Sequence, residues 1–427
     1  MNNDKGRGNT LMKIAILNSY LFPIPAVRGG AVETLIESIV KAANEDAAVE
    51  VTIFSLADDL AIAASQDYPN VRFQWLKRPP LLDLIDRGIT SFLRLIKGDK
   101  DLWQKNYLWQ IMSARKTRQL LLEQDYDIIC IQNAPYLCSL FEERELGEKY
   151  RGKVYFHTHN SQARKVNPSI ALAGVISISH YLEENIRACF GETVPIQVVH
   201  NGVATEQFDV ALSAEEKEEL ASRYQIPANA PIILFVGRMM PKKGVWELLQ
   251  AFQKLENTAA HLLLVGASSF GMATVTPFEK EVAAVVASNS RIHTTGFVAN
   301  EELGKYYALA DVVVLPSIWE EPLGLTMIEA QLSGTPLITT NQGGIPESTN
   351  PAYSILIEVS QDLSADLARA IDEVLDHPTV WKEKALQAQA EAESRFNEKR
   401  FYHNIMKTLG IATVRGTVAT GHPKTRK

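Results

Sequence analysis

Ile232-Ile233-Leu234-Phe235-Val236-Gly237-Arg238-Met239-Met240-Pro241-Lys242-Lys243-Gly244 opens on an unbroken apolar run, turns at a glycine and gathers cations before a second glycine. A short continuous apolar run is the pattern of a strand buried on both faces, and such strands belong to parallel sheets covered by helices. Val245–Leu255 follows with apolar residues at helical spacing, so the stretch reads strand, loop, helix. Open α/β sheets bind ligands at the carboxyl ends of their strands, which is where Arg238 and Lys243 fall. Arg offers a planar fork of donors and Lys a compact point charge, a combination suited to a diphosphate.

The same alternation runs almost from end to end. In the first half, strands are predicted over Lys13–Asn18, Val51–Ser55, Val71–Trp75, Asp127–Gln132, Lys153–His157, Val175–Ser179 and Ile196–His200. In the second half they fall over Ile232–Val236, His261–Val265, Arg291–Thr294, Asp311–Leu315, Leu337–Thr340 and Ser354–Ile357. Helical patterns such as Val32–Ala43 lie between them, which makes the fold class α/β with parallel sheets. The charged stretch Ser213–Arg223 separates the two series, so a Rossmann-like N-terminal domain is expected over 12–205 and a second one over 206–385. Pro378–Leu409 reads as helical, and its part from 386 to 412 is expected to return toward the first domain. Residues 1–11 and the basic tail 413–427 are expected to be flexible.

The chain has 427 residues and a formal net charge of -7, from 43 bases and 50 acids. That length suggests about two or three domains. The charge balance gives no nucleic-acid signature, so no nucleic-acid partner is expected. Three cysteines, Cys130, Cys138 and Cys189, have no metal-ligand spacing and read as small core residues of a reducing compartment. The opening MNNDKGRGNTLMKIAILNSY lacks the apolar stretch and cleavage site of a signal peptide, and no run approaches the ~18 apolar residues that cross a bilayer. The expected location is the cytoplasm, with room for peripheral contact at the inner face of the membrane.

Pro25-Ala26-Val27-Arg28-Gly29-Gly30-Ala31-Val32-Glu33 lies between the first strand and the first helix. Two glycines at a helix N-terminus let backbone N–H groups approach an anion closely, although the same residues also suit a plain tight turn. Trp319-Glu320-Glu321-Pro322-Leu323-Gly324-Leu325-Thr326-Met327-Ile328-Glu329-Ala330 follows the strand Asp311–Leu315. Pro322 and Gly324 break a continuous helix, leaving Glu321 in a loop, Leu323–Thr326 at a helix mouth and Glu329 one turn in. Carboxylates accept hydrogen bonds from sugar hydroxyls, and a helix mouth takes phosphate. Gly334-Thr335-Pro336 and Gly343-Gly344-Ile345-Pro346-Glu347 come next. Asp125-Tyr126-Asp127 has the form of a metal motif, but at the start of a strand it reads as a solvated cap. Finally, 77–119 carries ten bases against four acids among interleaved Leu, Ile and Trp residues. It reads either as an amphipathic surface for anionic lipid or as a helical insertion with a core side and a solvated side.

The ordered set GGAVE, HNGV, FVGRMMPKKGV, EPLGLTMIEA and GTPLITTNQGGIPE resembles the retaining GT-B glycosyltransferases of family 4, across ~12–410. Within that family VRGGAVE, His159-Asn160 and GASSFG resemble bacterial spore-coat and exopolysaccharide-type members. The resemblance implies two Rossmann-like domains facing across a cleft and a nucleotide-sugar donor, UDP-linked by family frequency. It implies that Arg238 and Lys243 bind the diphosphate, with N–H groups of Leu325 and Thr326, and that Glu329 binds the ribose. It places Glu321, Leu323 and Gly324 on the transferred sugar, Phe297 and Val298 around the base, and Gly29 and Gly30 near the phosphate or acceptor. His159 matches the histidine beside the reacting sugar, with His157 the weaker candidate. No cofactor and no metal are expected, because the two cations neutralise the phosphates. The expected activity is transfer of a hexose or N-acetylhexosamine to a cell-surface glycan, lipid-linked or coat acceptor. A UDP-sugar epimerase or sugar phosphorylase on the same fold, and a coat protein with little catalysis, stay open as alternatives.

Overall fold

A computed structural model describes residues 11–97, 106–162, 165–167, 170–267 and 276–411. The N-terminal stretch, the basic tail, the middle of 77–119 and most of GASSFG lie outside the described residues. Seven strands build the first sheet: β1 (Met12–Leu17), β2 (Val49–Leu56), β3 (Arg72–Leu76), β4 (Ile128–Gln132), β5 (Val154–Thr158), β6 (Gly174–Ser177) and β7 (Ile196–Val198). Six build the second: β8 (Ile232–Val236), β9 (His261–Val265), β10 (Ile292–Gly296), β11 (Val312–Leu315), β12 (Leu337–Thr340) and β13 (Ile355–Ile357). Each predicted strand has its counterpart among them.

Every pairing is parallel, in the orders β3-β2-β1-β4-β5-β6-β7 and β10-β9-β8-β11-β12-β13. The strand order therefore reverses between β1 and β4 and again between β8 and β11. Such a switch point opens a crevice at the carboxyl ends of the central strands, where doubly wound sheets bind ligands. β1 shows why the sheet is covered twice: Ile14 and Ile16 face one hydrophobic core, Ala15 and Leu17 the other.

The helix Ala31–Glu45 buries Leu35, Ile36, Ile39, Val40 and Ala43, one face at helical spacing, against β1 and β2. Pro378–Phe396 packs on Leu325–Leu332 in the second half of the chain. Asn397 interrupts the helix, and its side chain accepts the Arg400 N–H to cap the next one, Glu398–Thr408. That last helix lies on Ala31–Glu45, buries Phe401, Tyr402, Ile405 and Met406, and joins Tyr402 to Asp46 at 3.0 Å.

The segment 77–119 divides its apolar residues. Leu82 and Trp109 enter the core, Asp86 accepts the Leu108 and Trp109 N–H groups, and the Trp109 indole donates to the Tyr20 carbonyl at 2.8 Å. Leu81, Leu84, Ile85, Ile111 and Met112 remain exposed. Asp125 and Asp127 lie at the opposite, amino end of the sheet: Asp127 accepts the Lys13 N–H and Asp125 pairs with Lys149.

Candidate active site

The loops after β8 and β11 are fastened together at the second switch point. Gly244 has φ 71°, and a Cβ there would stand 1.8 Å from the Pro316 carbonyl oxygen, so only glycine permits this approach. The Ile318 N–H donates to the Lys242 carbonyl at 3.1 Å, and the Lys242 ammonium lies 3.8 Å over the Trp319 ring. This juxtaposition sets Lys243 Nζ 2.5 Å from Glu321 Oε1, which also accepts the Ser317 hydroxyl at 2.8 Å. Glu321 is buried and Lys243 partly buried, so their pair is less screened than one at the open surface. The ammonium has three donors, and one is committed to Glu321. Arg238 is exposed nearby on the same loop, and its guanidinium has no hydrogen-bond or ion-pair partner among the described residues.

Gly324, at φ 91°, caps the helix Leu325–Leu332 without a side-chain hydrogen bond. The first-turn N–H groups of Leu325 and Thr326 have no intrahelical acceptor and carry the positive end of the helix dipole. Leu325 packs against the core shared by β1 and the helix Ala31–Glu45, which brings this helix mouth to the N-terminal domain. Leu323 is buried beneath it. Glu329 stands one turn in, accepting the Tyr307 hydroxyl at 2.9 Å. Desolvation by its surroundings pushes the Glu329 carboxyl up to about 7, and the Tyr307 donor opposes that rise. Phe297 and Val298 follow β10, two strand positions from β8; Phe297 is exposed and Val298 packs on the core.

Across from this site, Gly29 and Gly30 adopt φ 74° and 111° before the helix Ala31–Glu45. The Glu33 carboxylate folds back over Gly30 and is buried, which pushes it up to about 7 against the opposing pull of its own backbone N–H. His159 is buried at the end of β5, its Nε2 2.9 Å from Gln132 Oε1 and its ring 4.2 Å from that of His157. Burial holds the His159 imidazole down to about 3, so it is neutral at any physiological pH. Among the described residues its Nδ1 has no hydrogen-bond partner, and neither ring nitrogen of His157 has one. Gln162 braces the loop, donating to Asn133, Thr158 and Asn160.

The structure thus joins Lys243 directly to Glu321, two residues that the motif reading gave to separate parts of a ligand. Ser317, Tyr307, Gln132 and Gln162 were not foreseen. Ser317 was open to detection, since it lies two residues past the predicted strand Asp311–Leu315 and four before Glu321.

Two family models match: Glycosyl transferases group 1 over residues 216–395, and Glycosyltransferase Family 4 over residues 29–207. The chain belongs to the glycosyltransferases. Spore coat protein SA of Bacillus subtilis is 24% identical over 92% of this chain and 98% of its own length. The lipopolysaccharide 1,2-N-acetylglucosaminetransferase of Salmonella typhimurium is 23% identical over 88% of this chain and 93% of its own. Among solved structures, Anabaena HepE in complex with UDP-glucose superposes with a TM-score of 0.68 at 19% identity, covering 93% of this chain and 99% of that one. The fold of this glycosyltransferase is GT-B: two parallel-sheet α/β domains of seven and six strands.

Proposed function

We propose that this glycosyltransferase is retaining and metal-independent. It moves a hexose or N-acetylhexosamine from a UDP-sugar to a cell-surface glycan, lipid-linked or coat acceptor. The observation that carries the reading is the Lys243–Glu321–Ser317 cluster beside an open helix mouth at the switch point of the second sheet. Breaking the anomeric bond puts positive charge on the sugar and negative charge on the leaving diphosphate. Lys243, held by Glu321, and the Leu325 and Thr326 N–H groups are fixed donors for that negative charge and need not reorganise as it develops, while the exposed Arg238 adds a planar fork of donors. Glu321 faces the sugar hydroxyls and Glu329 the ribose. Retention follows from front-face attack, the leaving phosphate taking the acceptor proton, with the neutral His159 supplying a hydrogen-bond acceptor to the sugar. The bound UDP-glucose of the Anabaena structure supports a UDP-linked donor.

The acceptor side is the N-terminal domain. No helix among the described residues is long and apolar enough to cross a membrane. The exposed Leu81, Leu84, Ile85, Ile111 and Met112, beside the exposed bases Lys77, Arg115 and Lys116, support peripheral contact with anionic lipid at the inner face of the membrane. The test of the donor site is UDP release from UDP-glucose by the wild type, Glu321→Ala and Lys243→Ala. The expected result is a loss of about 100-fold or more in either variant. Unchanged turnover in both would sink the site.

A further inference from the structure

Gly343-Gly344-Ile345-Pro346-Glu347, which the donor site leaves without a role, lies directly against the Glu321 loop. Gly343 has φ 59°, and a Cβ on it would stand 2.5 Å from the Glu321 carbonyl oxygen. The Gly344 N–H donates to that same oxygen at 2.7 Å. Three residues later the chain reaches the other way, into the N-terminal domain. Glu347 Oε2 accepts the His180 N–H at 2.8 Å, and Oε1 accepts the Tyr181 N–H at 2.7 Å. His200 Nε2 lies 3.1 Å from Oε2. Burial alone would raise the Glu347 carboxyl, but His200 and the two backbone donors outweigh it and hold it below the usual carboxylate range.

The turn that Glu347 grips in turn holds the Glu321 loop from the far side. The Ser179 hydroxyl donates to the Pro322 carbonyl at 2.5 Å, and the Tyr181 hydroxyl donates to Glu320 at 2.7 Å. Glu321 therefore sits between two residues that are both bonded to the N-terminal domain. We infer that Glu347, Ser179 and Tyr181 form an interdomain clasp that positions Glu321 for the reaction. They are positioning residues, acting through the Glu320–Pro322 backbone. The inference rests on the reading of Glu321 as the carboxylate facing the transferred sugar. Its physical basis is that a misplacement of about 1 Å at a reacting centre costs about 100-fold in rate, and that these bonds form only while the two domains are apposed.

The test uses the full chain with Glu347→Gln and Tyr181→Phe, each keeping nearly the native shape. Amide exchange without ligand is followed in peptides spanning 318–326 and 343–345. UDP affinity and UDP release from UDP-glucose are measured alongside. The expected result is faster exchange in both peptides and a kcat lowered about tenfold or more, with the Kd for UDP within about twofold of wild type. Exchange matching the wild type overturns the clasp. Faster exchange with kcat unchanged, or with kcat and affinity falling together, overturns the positioning role. If the wild type neither binds UDP nor releases it from UDP-glucose, the donor reading fails instead, and the exchange data alone decide the clasp.

Discussion

Lys243 and Glu321 come from loops nearly eighty positions apart, and a bond of 2.5 Å between them is visible only in three dimensions. Motif spacing can nominate each residue; it carries no record of which side chains meet. Ser317 and Tyr307, which hold Glu321 and Glu329, are ordinary polar residues in sequence for the same reason. Glu329 yields a prediction with a definite sign. Its carboxyl is raised to about 7 from the usual 4.5, so it is protonated below that range and ionised above it. An ionised carboxylate accepts two hydroxyl donors from a ribose, whereas the acid gives up one lone-pair site to its own proton. UDP binding should tighten as pH rises through about 7 in the wild type, with that trend absent in Glu329→Gln; a calorimetric pH series reads both. Glu33, likewise raised to about 7, bears on stability. The folded state holds its proton more tightly than the unfolded chain does, so Glu33 costs stability as pH rises from the usual carboxylate range through about 7. Glu33→Gln should raise Tm at pH 8 and leave it nearly unchanged at pH 5.

Most of the thirteen strands among the described residues were legible because parallel, doubly covered strands run apolar with little interruption, as Ile232–Val236 and Val312–Leu315 do. Edge strands such as Arg72–Leu76 and Ile292–Gly296 mix polar residues in, and the equally apolar Val282–Ala287 belongs to a helix. Helix ends were less so. The reading of 378–409 as one helix missed the break at Asn397, although an asparagine before Glu398 is a recognisable N-cap. The segment 77–119 was ambiguous because amphipathicity looks the same whether the apolar face meets a core or a lipid. The structure splits it, with Leu82 and Trp109 inside and Leu81 and Leu84 about two-thirds exposed, at 68% and 69%. Replacing both exposed leucines by Glu should leave Tm unchanged and abolish co-sedimentation with anionic vesicles. Retained co-sedimentation would remove that surface from the account. Phe401, on the helix that crosses to the N-terminal domain, is buried against the core of β1 and near the His157 ring. Truncation to Ala should cost about 3–5 kcal/mol, read as a fall in Tm of roughly 10 °C.

Across the whole molecule, two sheets of the same topology place two switch points where their loops meet. The N-terminal half contributes glycines, a neutral histidine and a partly exposed apolar surface; the C-terminal half contributes the cations and carboxylates. That asymmetry fits the proposed division into a donor-binding half and an acceptor-side half, and the net charge of -7 conceals it. The sequence showed the order of the motifs and hence the pair of domains. It did not show the bonds from Ser179, His180, Tyr181 and His200 to the opposite domain, because their partners lie 139 to 167 positions away. The most direct test of the donor site is a calorimetric titration of UDP into the wild type and Lys243→Ala. The wild type should bind, and Lys243→Ala should bind about 10- to 100-fold more weakly, the loss of one charge-assisted contact worth about 1.5–3 kcal/mol. Equal affinity in the two proteins, or no binding by the wild type, would contradict that site.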